Sequence, residues 1–148
     1  MRTDRLPIFL LLALLLPACA SQQTLRPFVS DGCSLFPDKA LIGDANWCDC
    51  CLVHDLAYWK GGTAEQRQLA DQQLHDCVLA RTGNAALAKA MLAGVKAGGT
   101  PHLPTSFRWA YGWPRQRNYE PLRPAEAVEA QQLEQQYRTQ HPGYQCGN

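Results

Sequence analysis

The spacing of apolar and polar residues changes several times along this chain of 148 residues, and each change marks an element. Arg2 and Arg5 precede "LPIFLLLALLL", an unbroken apolar run that is short for a bilayer span and placed as a signal-peptide core. Residues 19–30 are polar and aperiodic, with Pro27 among them, and are expected to form a tether. "DGCSLFPDKALIGDANW" follows, and its Asp, Gly, Pro and Asn content predicts a loop. From Trp47 to Trp59 nothing breaks a helix, and Cys51, His54, Asp55 and Tyr58 recur at spacings of three and four, on one side of it. "KGGT" ends that helix, and Thr63-Ala-Glu-Gln66 fits a capping box for a second one running to about Arg81. After "TGN" an Ala-rich helix is expected from about Ala85 to Ala97, then an irregular aromatic and Pro-rich stretch. "PAEAVEAQQLEQQYRTQ" opens a last helix, with Pro at its start and acids in its first turn. The expected fold is mainly α: a pair of antiparallel helices joined by a short turn, with extra helices towards the C-terminus.

The N-terminal run predicts an exported chain. "LPAC", ending in Cys19, resembles the bacterial lipobox, whose cysteine is lipidated and becomes the first residue of the mature protein. Ordinary cleavage after Ala20 is the alternative. The expected organisation is a signal peptide over 1–18, the tether over 19–30 and one domain over 31–148. Removing residues 1–18 takes away two arginines and one aspartate, so the formal +1 becomes zero. No basic stripe suits nucleic acid, and no second apolar segment is long enough to cross a membrane.

Export also governs the seven cysteines. With Cys19 set apart, Cys33, Cys48, Cys50, Cys51, Cys77 and Cys146 form an even set, which in an oxidising compartment reads as three disulfides. A zinc site built on Cys48, Cys50, Cys51 and His54 is the weaker reading, because structural zinc ligands come in better separated pairs. A catalytic thiol is weaker still.

A histidine acting as general base needs its other ring nitrogen held by a carboxylate. The second helix offers Asp71 and Asp76; Asp71 shares a face with Arg67, Leu74 and Val78, whereas Asp76 is rotated away. Asp71 is the better candidate. "CCLVHDLAY" resembles the Cys-Cys-x-x-His-Asp-x-x-Tyr signature of the secreted phospholipase A2 family, and the resemblance covers roughly residues 31–80. It implies His54 as general base, Asp55 as calcium ligand, and Tyr58 hydrogen-bonded to Asp71. The family's half-cystine six residues after that aspartate corresponds to Cys77, which selects Asp71 a second time.

The glycine-rich calcium loop of animal enzymes is missing. "DGCSLFPD" is instead similar to the bacterial branch, which implies Asp31 and the carbonyl of Gly32 as further calcium ligands, with Asp38 and Asp44 as alternatives. The resemblance further implies disulfides Cys33–Cys51 and Cys50–Cys77, which leave Cys48 and Cys146 for each other. The implied activity is calcium-dependent hydrolysis of the sn-2 ester of glycerophospholipids at a membrane surface, by an envelope protein anchored through Cys19 and facing the periplasm from the outer membrane, or else secreted. The competing expectation is a catalytically silent phospholipase-like lipoprotein with a lipid-binding or structural role. His75, His102 and His141 sit in no motif and are expected in solvent. Phe107, Trp109, Tyr111 and Trp113 alternate, which favours a packed strand or core edge over a lipid-facing rim.

Overall fold

The computed structural model describes residues 24–41, 44–114 and 117–143. Cys19 and Cys146 therefore lie outside the described residues, as does the signal segment. Four helices carry the fold: α1 (Cys48–Lys60), α2 (Ala64–Thr82), α3 (Ala85–Gly98) and α4 (Pro124–Gln140). Among the described residues the only β pairing is an isolated bridge between Lys39 and Asn46 inside the first loop.

Capping chemistry sets the boundaries. Thr63 accepts from the backbone N–H of Gln66 at 3.3 Å, and the Gln66 side chain accepts from the Thr63 N–H at 2.8 Å. Asn84 starts α3 by accepting from Leu87 N–H at 3.0 Å. Gly61, at φ +71, turns the chain out of α1; a Cβ there would stand 2.5 Å from that of Ala110.

Contacts between α1 and α2 run in opposite senses along the two helices. Cys50 is joined to Cys77, His54 meets Asp71, and Tyr58 meets Arg67. That descending series is the antiparallel pair. The second described disulfide joins Cys33 in the loop to Cys51. Both pairings are those implied by the resemblance. Cys48 is also disulfide-bonded.

α1 is buried almost all round, as a central helix must be. On one side Cys50 and Cys51 pack with Trp47, Leu74, Val78, Ala88 and Met91. On the other, Leu56 and Trp59 pack with Leu25, Phe28, Trp109, Trp113 and Ala130 of α4.

Two expectations change here. From residue 24 the supposed tether belongs to the core: Leu25 and Phe28 are buried, and the Trp59 indole donates to Arg26 O at 2.8 Å. Two apolar residues three apart carried too weak a pattern to reveal this. The aromatic stretch is a core edge but not a strand. Trp109 and Trp113 are buried, while the backbone runs through turns with Ala110 at φ +61.

That stretch completes the end of α1. The last four carbonyls of a helix have no partner within it. Here Ala57 O accepts from Gly61 N–H, Tyr58 O from Ala110 N–H at 2.7 Å, Trp59 O from Gly112 N–H, and Lys60 O from the Trp113 indole at 2.7 Å. Trp109 donates likewise to Gly62 O at 2.9 Å. Arg117 then stacks 4.1 Å from the Trp113 ring and pairs with buried Glu126 of α4 at 2.7 Å. That guanidinium holds the Glu126 carboxyl down at about 2, against the opposing effect of burial.

Trp113→Phe removes the indole donor and leaves Lys60 O without its partner. It should lower unfolding stability by about 2–4 kcal/mol in urea titrations, an orphaned acceptor added to lost packing volume. A change within experimental error would show that the stretch does not cap α1.

Candidate active site

One turn of α1 separates His54 from Tyr58, and both face Asp71 on α2. His54 Nε2 lies 3.1 Å from Asp71 Oδ1, and the Tyr58 hydroxyl donates to the same oxygen at 2.6 Å. Asp71 is 1 % exposed and His54 7 %, so the pair is dry on the protein side. Burial and the adjoining carboxylate push the Tyr58 hydroxyl well above its ordinary range, which keeps its proton on. With Nε2 turned onto Asp71, Nδ1 is the ring nitrogen left for substrate or water. Asp76, the alternative partner, is exposed and engages Gln72 and His75 instead. Of the other histidines, His102 and His141 are exposed as expected, and His75 pairs with Asp76.

Asp55 faces the loop. Its Oδ2 accepts from the Ser30 hydroxyl at 2.6 Å, a contact with no local signal in the sequence. Burial raises its pKa to about 7, and the nearby charges of Asp31 and Asp38 push in the same direction. A buried carboxylate pushed up further by two acidic neighbours is a donor that calcium fits.

The loop supports that fit only in part. Asp31 is exposed and accepts from the Ser34 hydroxyl at 3.0 Å, the local bond of a turn residue. Asp38 accepts from Cys33 N–H at 2.7 Å, and its carboxylate lies where a side chain on Gly32, at φ +74, would stand. Asp44 is exposed, beyond the described contacts of the site. No three of these carboxylates gather within 4.8 Å of one another. Among the described residues the one compact cluster is Asp49 with Cys50 and Cys77, but those sulfurs form a disulfide and Asp49 pairs with Arg81. A thiolate zinc site has no ligands there.

Two cavities meet at Asp55. The narrower, about 140 Å³, is lined by His54 and Asp55 and by apolar side chains including Leu35, Phe36, Met91 and Phe107. Gly94 and Gly98 of α3 make the room: a Cβ on either would come within 3.1 Å of the Phe36 or Phe107 ring. The wider, about 560 Å³, is lined by Asp31 and Asp55 together with Arg26, Thr105, Ser106 and Arg108. Neither the glycines nor the wider cavity had a signal in the sequence, since both depend on how α3 and the aromatic stretch return to α1.

No protein-family model, curated protein or solved structure matches the chain.

Asp55→Asn tests the strain directly. A folded-state pKa raised to about 7 costs stability that is absent below the unfolded value near 3.8 and complete above 7. In a chelator, the variant should therefore match wild type near pH 4 and exceed it by about 2–4 kcal/mol at pH 8. Added calcium should raise the wild-type Tm and leave that of the variant unmoved. A wild type indifferent to calcium would remove Asp55 as a ligand.

Proposed function

We propose that the chain is a calcium-dependent hydrolase of the sn-2 ester of glycerophospholipids, a phospholipase A2-like domain as its resemblance implies. The observation that carries the reading is the dyad's position: His54, turned onto Asp71 at 3.1 Å, stands in the wall of a narrow apolar cavity that also bears Asp55. An acyl chain suits such a slot, and an ester at its mouth would meet both the base and the carboxylate.

The residues divide the work. His54 takes a proton from water at Nδ1, so that the water attacks the ester carbonyl, and returns that proton to the leaving alkoxide. Asp71 accepts from Nε2–H and stabilises the imidazolium in between. Tyr58 holds Asp71 in place from the same helix as the base. Asp55, with Asp31 and the Gly32 carbonyl or with Asp38, would hold calcium, which when bound supplies positive charge for the phosphate and the developing oxyanion. Cysteine has no chemical part.

No helix among the described residues is long and apolar enough to cross a membrane. Membrane contact would come through lipid at Cys19, placing the domain at the periplasmic face of the outer membrane.

The deciding assay is fatty acid release from defined phospholipid vesicles, with calcium and with chelator. Wild type should release sn-2 fatty acid only with calcium. His54→Gln should lose roughly 10²–10⁴-fold of that rate while remaining folded. Asp71→Asn should cost less than His54→Gln, and Asp76→Asn nothing. Vesicle binding without release would favour the catalytically silent reading.

A further inference from the structure

Arg67 stands on α2 one turn before Asp71, outside the residues that the resemblance assigns. Its side chain is 12 % exposed, and every guanidinium nitrogen donates a hydrogen bond. Nε donates to the Tyr58 hydroxyl oxygen at 3.1 Å and Nη1 to the Tyr119 hydroxyl at 3.1 Å. Nη2 donates to Val95 O at 3.0 Å and Lys96 O at 2.9 Å, at the end of α3, and lies 3.9 Å from Asp71 Oδ2.

We propose that Arg67 is a positioning residue: it fixes the direction of the hydrogen bonds from Tyr58 through Asp71 to His54, and so fixes the tautomer of the base. Guanidinium only donates, so the Tyr58 oxygen must accept from it, and the single hydroxyl proton must go elsewhere. Two acceptors are in reach, Asp71 Oδ1 at 2.6 Å and Val95 O at 3.4 Å. Arg67 already occupies Val95 O, and the shorter contact takes the proton. Asp71 Oδ1 thus receives Tyr58 O–H on one side and faces His54 Nε2 on the other. A carboxylate has no proton to offer, so Nε2 carries the hydrogen and Nδ1 keeps its lone pair for water. Without Arg67, Val95 O competes for Tyr58, and Asp71 is free to turn from the imidazole.

Only the kinetic arm of this inference rests on the hydrolase reading. The direct test is ¹H–¹⁵N NMR of the His54 ring in the full-length protein, without lipid, at a pH where the imidazole is neutral. Wild type should show the Nε2–H tautomer alone, and Arg67→Met a mixture of both. In the vesicle assay Arg67→Met should lower kcat roughly 10–100-fold, short of the ~10⁴-fold cost of a fully wrong tautomer, with KM little changed. Arg67→Lys should recover part of both signals, because a compact ammonium reaches the Tyr58 oxygen or Val95 O but not the whole set. If Arg67→Met does not fold, Arg67→Lys carries the test by the same two readouts. A single Nε2–H tautomer in the folded variant, with only a lowered Tm, would overturn the proposal and make Arg67 a strut between α2 and α3. A wild type that releases no fatty acid would sink the hydrolase reading while leaving the tautomer result to stand or fall by itself.

Discussion

Asp71 is a carboxylate sealed into the seam between α1 and α2, and a buried carboxylate is tolerable only if donors surround it. The seam supplies them from α1, where His54 and Tyr58 stand one turn apart, and the Arg67 guanidinium of α2 brings positive charge to 3.9 Å. Because α1 and α2 are antiparallel and pinned by Cys50–Cys77, the register that brings Tyr58 to Arg67 also brings His54 to Asp71. Arg67 extends the demand outward to the end of α3 and to Tyr119. One buried charge thus sets the relative placement of three helices and part of the irregular chain.

Asp55, next in sequence to His54, shows the opposite treatment. It too is buried, but it is held by the Ser30 hydroxyl and the Asp31 backbone N–H, and the nearby charges of Asp31 and Asp38 raise it. Asp71 is met by a guanidinium 3.9 Å away; Asp55 is driven up to about 7 by burial. Two buried carboxylates are thus treated differently: Asp71 is held by hydrogen bonds and a nearby guanidinium, and Asp55 is raised by burial beside two acids.

The helical frame was legible because its signals are local. Helix spacing from Cys51 to Tyr58, the Thr63–Gln66 box and Pro124 before an acidic turn each act within a few residues, and the observed bounds follow them. The choice of Asp71 over Asp76 was also local, since it needed only the angle around α2. The parts that depend on return of distant chain stayed hidden. Residues 24–30 looked like a tether because their anchors, Glu129, Gly112 and Trp59, lie far along the sequence. Alternating aromatics suggested a packed strand or a core edge; Trp109 and Trp113 form the core edge and reach back to carbonyls at the end of α1. Arg67 was visible on the face of Asp71, yet nothing local said that Tyr58 and Val95 would both come to it.

The adjacent Cys50 and Cys51 tie these two kinds of information together. Neighbouring residues on a helix point about 100° apart, so the pair cannot serve one partner and must splay to two sides of α1. Cys50 takes Cys77 and sets the depth of α2, hence the height of Asp71 against His54. Cys51 takes Cys33, which follows Gly32, and draws the loop against the helix one turn before Asp55. The same loop places Asp38 beside Gly32 and carries Ser30 to the Asp55 carboxylate. One bridge therefore fixes Asp71, and the other the loop with Ser30 and Asp38, relative to α1, the helix that carries His54. Thiols and imidazole are crowded into one stretch of sequence because the sulfurs hold the framework in which the imidazole meets Asp71.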